Sequence, residues 1–373
     1  MMTKKVSDEM KNENKVRIIA IYLPQYHPVP ENDEWWGKGF TEWTNVTKAK
    51  PLFKGHYQPN LPGELGFYDL RVPEVREQQA LLAKEYGIEG FMYWHYWFAG
   101  KRLLERPFLE VLDSGKPDFP FCLGWANETW TGVWHGLKNK LLIEQTYPGV
   151  EDYENHFQAL LKAFKDKRYI RVEGKPLFLI YQPFQIPDPH SFIELWNRLA
   201  VTNGLKGIHF VACTTNLEKE EAALLNMGYN GIYFHRMVEI TKHFSMSLIK
   251  RELFNRGIYK KYTSNGVLKY RDLIKYLIKP TDFKKYTYPA ILPNWDNSPR
   301  SGRKSFIIKD STPELFRKHL RMVFAVLKEK PEEDRIVFIK SWNEWAEGNY
   351  IEPDLQYGRQ YLEVLKEEID NFK

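Results

Sequence analysis

The chain has 373 residues, and its 54 Lys and Arg against 48 Asp and Glu leave a formal net charge of +6. Hydrophobic residues at 43% and charged residues at 27% are typical of globular proteins and argue against an intrinsically disordered chain. Aromatic residues reach 15%, so we expect some of the 12 Trp side chains to line a concave binding surface.

The start of the chain and its two cysteines bear on the cellular compartment. Residues 1–16 are predicted to be a polar tail, because they contain no apolar core of a signal peptide. No apolar stretch reaches the length of about 18 residues that predicts a transmembrane span. Cys122 and Cys213 lie in separate apolar runs, which favours buried free thiols over a disulfide scaffold. These features predict a cytoplasmic protein.

Short apolar runs recur along the chain and predict eight strands. Their near-continuous apolar character is typical of parallel strands that are buried on both faces. The predicted strands cover residues 18–23, 90–94, 121–125, 177–181, 208–213, 231–234, 290–292 and 336–339.

Helical patterns alternate with these strands. The predicted helices cover residues 73–86, 151–165, 189–202, 218–227, 312–328 and 357–369. Eight strands alternating with helices predict an α/β protein with a (β/α)₈ TIM barrel, formed by residues 17–373 as a single catalytic domain. A doubly wound sheet is the alternative, but no glycine-rich dinucleotide or P-loop motif supports it independently.

Two segments are too long to be simple connections. Residues 24–72 are rich in Pro, Gly and Trp and are predicted to form a long loop over the barrel mouth. Residues 236–285, between the sixth and seventh strands, carry 13 Lys and Arg but only 4 Asp and Glu. This basic insertion either contacts phosphates, on an anionic membrane surface, a lipid diphosphate carrier or a nucleotide sugar, or is a solvated helical flap. No nucleic-acid-binding motif accompanies the charge, so a nucleic-acid partner is not expected.

Polar and aromatic side chains gather at or just after the ends of the predicted strands, where barrel enzymes place their catalytic groups. Aromatic platforms combined with hydrogen-bonding groups suit a sugar ring, which has an apolar C–H face and an edge of hydroxyls. The candidate substrate-binding residues are Tyr22, Gln25, His27, Trp43, Tyr93, His95, Trp125, Asn127, Glu128, Asn294, Trp295 and Asn343. For Tyr93 and His95 the alternative is a place in the core, and for Asn127 and Glu128 a hydrogen-bonding pair within a loop.

The candidate catalytic residues are Glu344 and Glu347, which follow the eighth strand. A spacing of three places both carboxylates on one side of a turn, and glycoside cleavage uses two carboxyl groups. The alternative is that one Glu caps the following helix and the other is solvated. The His residues show no metal-ligand spacing, so neither a metal site nor a cofactor is expected.

Four motifs carry a resemblance to known proteins: residues 21–28, 39–46, 125–130 and 341–348, the last followed by Ile351 and Glu352. Over residues 17–368 the chain resembles the WbsX-like proteins of bacterial polysaccharide clusters, which are related to the family 99 glycoside hydrolases, the endo-α-mannosidases. This resemblance implies a (β/α)₈ barrel and retaining hydrolysis of an α-linked sugar. Glu344 would act as base on the sugar's own 2-hydroxyl, forming a 1,2-anhydro intermediate, and Glu347 would be the general acid and then the base. Ala346 departs from the larger polar residue expected in the mannosidases, which bears on the substrate.

Three functions remain open at this point. The first is a glycoside hydrolase, exo- or endo-acting, whose substrate is a surface oligosaccharide or polysaccharide, free or linked to a lipid diphosphate. The second is a glycosyltransferase of O-antigen or capsular polysaccharide biosynthesis, although the sequence contains no D-x-D motif where a metal–diphosphate site would need one. The third is a non-catalytic carbohydrate-binding barrel, against which the presence of both Glu344 and Glu347 argues.

Overall fold

Eight parallel strands close into a barrel in the computed structural model, which describes residues 16–132, 141–237, 240 and 266–372. In chain order the barrel strands are β1 (Arg17–Tyr22), β2 (Gly90–Phe98), β3 (Phe121–Trp125), β4 (Lys175–Ile180), β5 (His209–Thr214), β6 (Gly231–Phe234), β7 (Thr287–Ile291) and β8 (Ile336–Ile339). Each pairs with the next in parallel, and β1 pairs with both β2 and β8. The predicted (β/α)₈ barrel is therefore confirmed, and the doubly wound sheet is excluded.

The barrel strands form where the apolar runs were predicted, because β-branched and aromatic residues suit a fully buried strand. Every residue of β3 and β5 is buried, and β1 is buried from Ile18 onwards. The main departure is β2, which continues to Phe98, four residues beyond the predicted end. Residues 94–98 thus belong to a strand whose side chains alternate between two faces.

Helices surround the barrel, and each of the six predicted helices overlaps an observed one. Proline near the first turn and a side-chain cap begin two of them, since Asp188 accepts from the Ser191 amide at 3.1 Å and Thr312 from the Leu315 amide at 3.3 Å. The described helices are Pro30–Trp36, Glu42–Lys48, Pro73–Glu85, Arg106–Ser114, Val150–Lys165, Pro189–Thr202, Leu217–Asn226, Tyr270–Leu277, Ser298–Ser301, Pro313–Lys328 and Gln360–Asp370.

The helix Arg106–Ser114 was not predicted. It is only nine residues long, so its apolar side chains repeat too few times to give a periodic signal. Phe108, Val111 and Leu112 nevertheless form one buried face.

The described residues also form short strands and 3₁₀ turns outside the eight barrel strands. The remaining strands are Lys101–Leu103, Trp130–Thr131, Leu141–Ile143, Arg171–Val172, Val267–Lys269, Trp295–Asp296, Ile307–Lys309, Asn343–Glu344 and Asn349–Tyr350. The 3₁₀ turns are Pro183–Gln185, Gly302–Lys304, Glu332–Asp334 and Trp345–Glu347.

Residues 24–72 lie over the barrel mouth as predicted, but they contain the helices Pro30–Trp36 and Glu42–Lys48. The amide of Glu42 donates to the Gln25 carbonyl at 3.1 Å, and that of Leu70 donates to the Tyr26 carbonyl at 3.0 Å. These bonds tie the middle and the far end of the segment to its first residues, which leave β1.

Much of the predicted basic insertion, residues 238–239 and 241–265, lies outside the described residues, as do residues 1–15 of the predicted tail. The described parts on either side of it are joined by a buried ion pair between Arg236 and Asp282 at 2.6 Å. Arg236 also contacts Glu218 at 2.6 Å. Within the described ranges, no helix combines the length and apolar character needed to cross a bilayer.

Candidate active site

A cavity of about 210 Å³ opens at the carboxyl ends of the barrel strands, the face at which barrel enzymes carry out their chemistry. The residues that line it fall into three chemical groups. The charged side chains are Glu42, Glu128, Glu344, Glu347, Arg300 and Lys340. The aromatic ones are Trp36, Trp94, Tyr96, Trp130 and Tyr181. The others are Leu23, Gln25, Asn32, Ala126, Thr131 and Leu142.

Four of the predicted site residues line this cavity: Gln25, Glu128, Glu344 and Glu347. They come from the segments that follow β1, β3 and β8, which are far apart in the sequence. The barrel brings them together because the carboxyl ends of all eight strands meet at one rim.

A second group of predicted residues, Tyr22, Tyr93, His95 and Trp125, is buried and points towards the surrounding helices. The Tyr22 hydroxyl donates to Gln79 at 2.7 Å, and Nε2 of His95 lies 2.8 Å from Nε2 of His156. Tyr93 packs against Phe108, with ring centroids 5.4 Å apart. Nε1 of Trp125 donates to the Trp97 carbonyl at 3.2 Å.

Alternation along β2 explains part of this distribution. Trp94 and Tyr96 line the cavity, whereas Tyr93 and His95 occupy the other face of the same strand. Trp94 and Tyr96 are therefore cavity residues that were not among the predicted ones.

A third group of predicted residues braces the loops around the cavity. The Asn343 side chain accepts from the Leu23 amide at 2.8 Å and donates to the Leu23 carbonyl at 3.1 Å. Asn127 holds the Gln182 backbone by an equivalent pair of bonds, at 2.8 and 2.9 Å.

The two remaining residues of this bracing group are His27 and Trp43. Nδ1 of His27 contacts the Pro24 carbonyl at 3.0 Å, and Nε1 of Trp43 donates to the Tyr68 carbonyl at 2.8 Å.

Asn294 and Trp295 line a neighbouring cavity of about 290 Å³ instead. Nζ of Lys340, from the first cavity, lies 5.1 Å from the centre of the Trp295 ring, so this indole stands between the two spaces.

The turn that carries the two glutamates is tightly specified. Glu344 ends the short strand Asn343–Glu344, and Glu347 ends the 3₁₀ turn Trp345–Glu347. Gly348 then adopts φ +51°, and a Cβ there would lie 2.7 Å from the Asp296 carbonyl oxygen. Neither glutamate caps the following helix, whose N-cap is Arg359.

Trp345 anchors this turn from behind. Its indole stacks on Tyr350 with centroids 3.8 Å apart and donates from Nε1 to Glu352 at 2.7 Å. Glu352 also accepts from Tyr68 at 2.9 Å and from Gln79 at 2.6 Å. Burial outweighs these donors and raises the pKa of Glu352 to about 7.

Arg300 lies between three carboxylates and was not predicted. Nη1 donates to Glu347 at 2.8 Å, Nη2 donates to Glu344 at 3.1 Å, and Nε donates to Glu42 at 3.2 Å. A single arginine has no characteristic spacing, so the sequence offered no signal for it. Glu42 lay within a recognised motif, but nothing in that motif indicated an ion pair.

The electrostatics of Glu344 follow from this cluster. Burial first, and then the negative charge of Glu347, raise the pKa of Glu344, while Arg300 and Lys340 act in the opposite direction. Burial also raises the pKa of Glu128 across the cavity. The site therefore combines a carboxyl group that titrates above its ordinary range with aromatic walls.

At the barrel mouth, then, two carboxylates close together in the chain and several aromatic side chains line one cavity. Residues 18–365 match the model of the family described as "Glycosyltransferase WbsX". The chain belongs to the WbsX family.

Among curated proteins, the "Uncharacterized protein WxcX" of two strains of Xanthomonas campestris pv. campestris is 38% identical over 355 residues. The match covers 94% of this chain and 49% of the relative, so the chain spans about half the length of these relatives.

Solved structures agree on the fold. The GH99 endo-α-mannosidase from Bacteroides thetaiotaomicron, in complex with Bis-Tris propane, superposes with a TM-score of 0.58 at 17% identity. That match covers 95% of this chain and 97% of the other. A "Glycoside hydrolase-like protein" superposes with a TM-score of 0.60 at 13% identity, covering 95% and 94% of the two chains. At these identities the likeness establishes the (β/α)₈ fold.

Proposed function

We propose that this chain is a retaining glycoside hydrolase that cleaves an α-linked glycan, with Glu344 and Glu347 as its catalytic pair. The observation that carries the proposal is that both carboxylates line one cavity at the carboxyl end of β8 and contact the same guanidinium, that of Arg300. Two carboxyl groups at one scissile bond are what glycoside cleavage requires. The substrate we propose is a bacterial surface oligosaccharide or polysaccharide, including its lipid-diphosphate-linked form.

The roles follow the resemblance to endo-α-mannosidases. Glu344 takes the proton of the sugar's 2-hydroxyl, whose oxygen attacks C1 while the bond from C1 to the leaving oxygen breaks. Glu347 gives its proton to that leaving oxygen. Water, deprotonated by Glu347, then opens the 1,2-anhydro ring at C1, and Glu344 returns its proton to the 2-oxygen. A raised pKa suits Glu344 to this role, because a base is most effective when its pKa is near the working pH.

The aromatic wall supports a sugar substrate. Trp94 and Tyr181 pack edge to face, with centroids 5.6 Å apart, and both line the same cavity as the carboxylates. Aromatic faces stack on the apolar C–H face of a pyranose, while Gln25 and Glu128 offer hydrogen-bonding groups to its hydroxyls.

The second candidate is a glycosyltransferase, the activity in the name of the family, Glycosyltransferase WbsX. Lys340 lines the same cavity and offers a positive charge for the diphosphate of a donor sugar. In this case the acceptor hydroxyl would take the place of water.

A screen of α-linked oligosaccharides, with and without nucleotide-sugar donors, tests the proposal. Release of a reducing sugar without a donor, and its loss by about 10²–10⁴-fold in Glu344→Gln and Glu347→Gln, is the expected result. The control is Glu363→Gln, at an exposed helical position. Product that forms only with a nucleotide-sugar donor and an acceptor would establish the transferase instead.

A further inference from the structure

Glu42 and Arg300 belong to segments that are 258 residues apart, and contacts outside the turn of Glu344 and Glu347 help to hold each of them in place. Glu42 begins the helix Glu42–Lys48, which Thr41 caps and which the bond from Trp43 to the Tyr68 carbonyl anchors. Arg300 lies in the helix Ser298–Ser301, whose first amide donates to Asp296 at 2.9 Å.

Two further side chains hold Asp296 in place. It accepts from Gln58 at 2.6 Å and contacts Nε2 of His56 at 2.7 Å, both of which belong to the segment after β1. The guanidinium therefore reaches the cavity from a rigid support and is not a freely moving surface arginine.

The charges of the cluster do not balance. Three carboxylates, from Glu42, Glu344 and Glu347, surround one guanidinium. The side chain of Glu42 is 2% exposed and that of Glu344 is 9% exposed, so water screens them little. With every carboxyl ionised, this buried group of four would carry two excess negative charges. Such a group favours the uptake of one proton.

We infer that Glu42 and Arg300 are a positioning pair, which orients the carboxylates of Glu344 and Glu347 and sets how tightly that pair holds a proton. The inference rests on the proposed function only in calling the two glutamates catalytic. Arg300 aligns both carboxylates by donating from neighbouring nitrogens of one planar fork. Glu42 offsets part of its charge, so that Arg300 does not drive the proton off the pair.

Other charged and titratable groups face Glu344 besides this pair. Lys340 lies at the end of β8, Glu128 faces the cavity from the loop after β3, and Tyr96 faces it from β2. These groups are the same in every variant proposed below. A difference between variants therefore reports on Glu42 and Arg300 themselves.

Carbon-13 NMR of protein labelled at the glutamate carboxyl carbons tests the inference without any substrate. In the wild type, the resonances that titrate above the ordinary carboxyl range should include those of Glu344, Glu128 and Glu352, since the pKa of each is raised. The resonance that is absent in Glu344→Gln is then that of Glu344. Arg300→Gln should move that titration to higher pH, and Glu42→Gln should move it to lower pH, each by about 1–3 pH units. The matched control is Arg106→Gln, which removes an exposed arginine that pairs with Glu110.

Opposite shifts in Arg300→Gln and Glu42→Gln support the inference. The inference is overturned if the Glu344 resonance titrates in both variants as it does in Arg106→Gln. It is also overturned if no resonance that Glu344→Gln removes titrates above the ordinary carboxyl range in the wild type. If Arg300→Gln does not fold, Glu42→Gln still shows the direction in which the titration moves. Arg300→Lys then tests whether the guanidinium orients the two carboxylates. Lysine keeps the positive charge but cannot donate to both carboxylates from one planar group. The titration should therefore stay within about one pH unit of the wild type, while any measured kcat falls at least tenfold. The NMR result holds whether or not hydrolysis is ever detected, so the two proposals fail separately.

Discussion

Replacing Glu352 with Gln should remove a pH dependence of folding stability. The carboxyl is buried behind the turn that carries Glu344 and Glu347, and its pKa is raised to about 7 from an ordinary value of 4.5. This difference corresponds to about 3 kcal/mol in the free energy of unfolding. Because the folded-state pKa is the higher one, this contribution is fully present below about pH 4.5 and is lost as the pH rises through 7.

Urea unfolding of the wild type and of Glu352→Gln between about pH 4.5 and pH 8 measures this effect. The difference between the two free energies should change by about 3 kcal/mol across that range, with the wild type losing stability relative to the variant as the pH rises. Glu363→Gln, at an exposed position, should run parallel to the wild type. A constant difference between wild type and Glu352→Gln would refute the reasoning, since it would mean that the carboxyl has the same pKa in the folded and unfolded chains.

Three further predictions concern the site. Glu347→Gln should reduce turnover of an unactivated glycan by about 10²–10⁴-fold. It should largely spare bond cleavage in an activated aryl glycoside, because an aryl leaving group departs without protonation. Equal losses on both substrates would contradict the acid role. Trp94→Ala should raise KM about tenfold with a smaller change in kcat, since it removes a stacking surface of about 1.4 kcal/mol; an unchanged KM in steady-state kinetics would place the sugar elsewhere. Gly348→Ala should destabilise the fold in urea by about 1–3 kcal/mol more than Gly302→Ala. Both glycines have positive φ, but only at Gly348 would the new Cβ meet backbone, at 2.7 Å from Asp296.

The strands of this protein could be read from its sequence because parallel strands buried on both faces leave long apolar runs. Because the runs are apolar throughout, the sequence did not indicate which way the side chains of each strand point. In β2 the run from Tyr93 to Tyr96 contains no polar–apolar alternation, so nothing distinguished Trp94 and Tyr96, which line the cavity, from Tyr93 and His95, which face the helices. Only the closure of the barrel determines which face of the strand is inside.

The carboxylate pair was likewise predictable, because Glu344 and Glu347 are three residues apart and follow the last strand directly. Their partner was not. Arg300 reaches them from the short helix Ser298–Ser301, and Glu42 reaches Arg300 from the segment that follows β1. The sequence by itself determined the barrel and its two glutamates through local pattern and spacing. The tertiary structure determined which charged side chains surround them. An ion pair between residues 258 apart in the chain exists only when the fold brings them together.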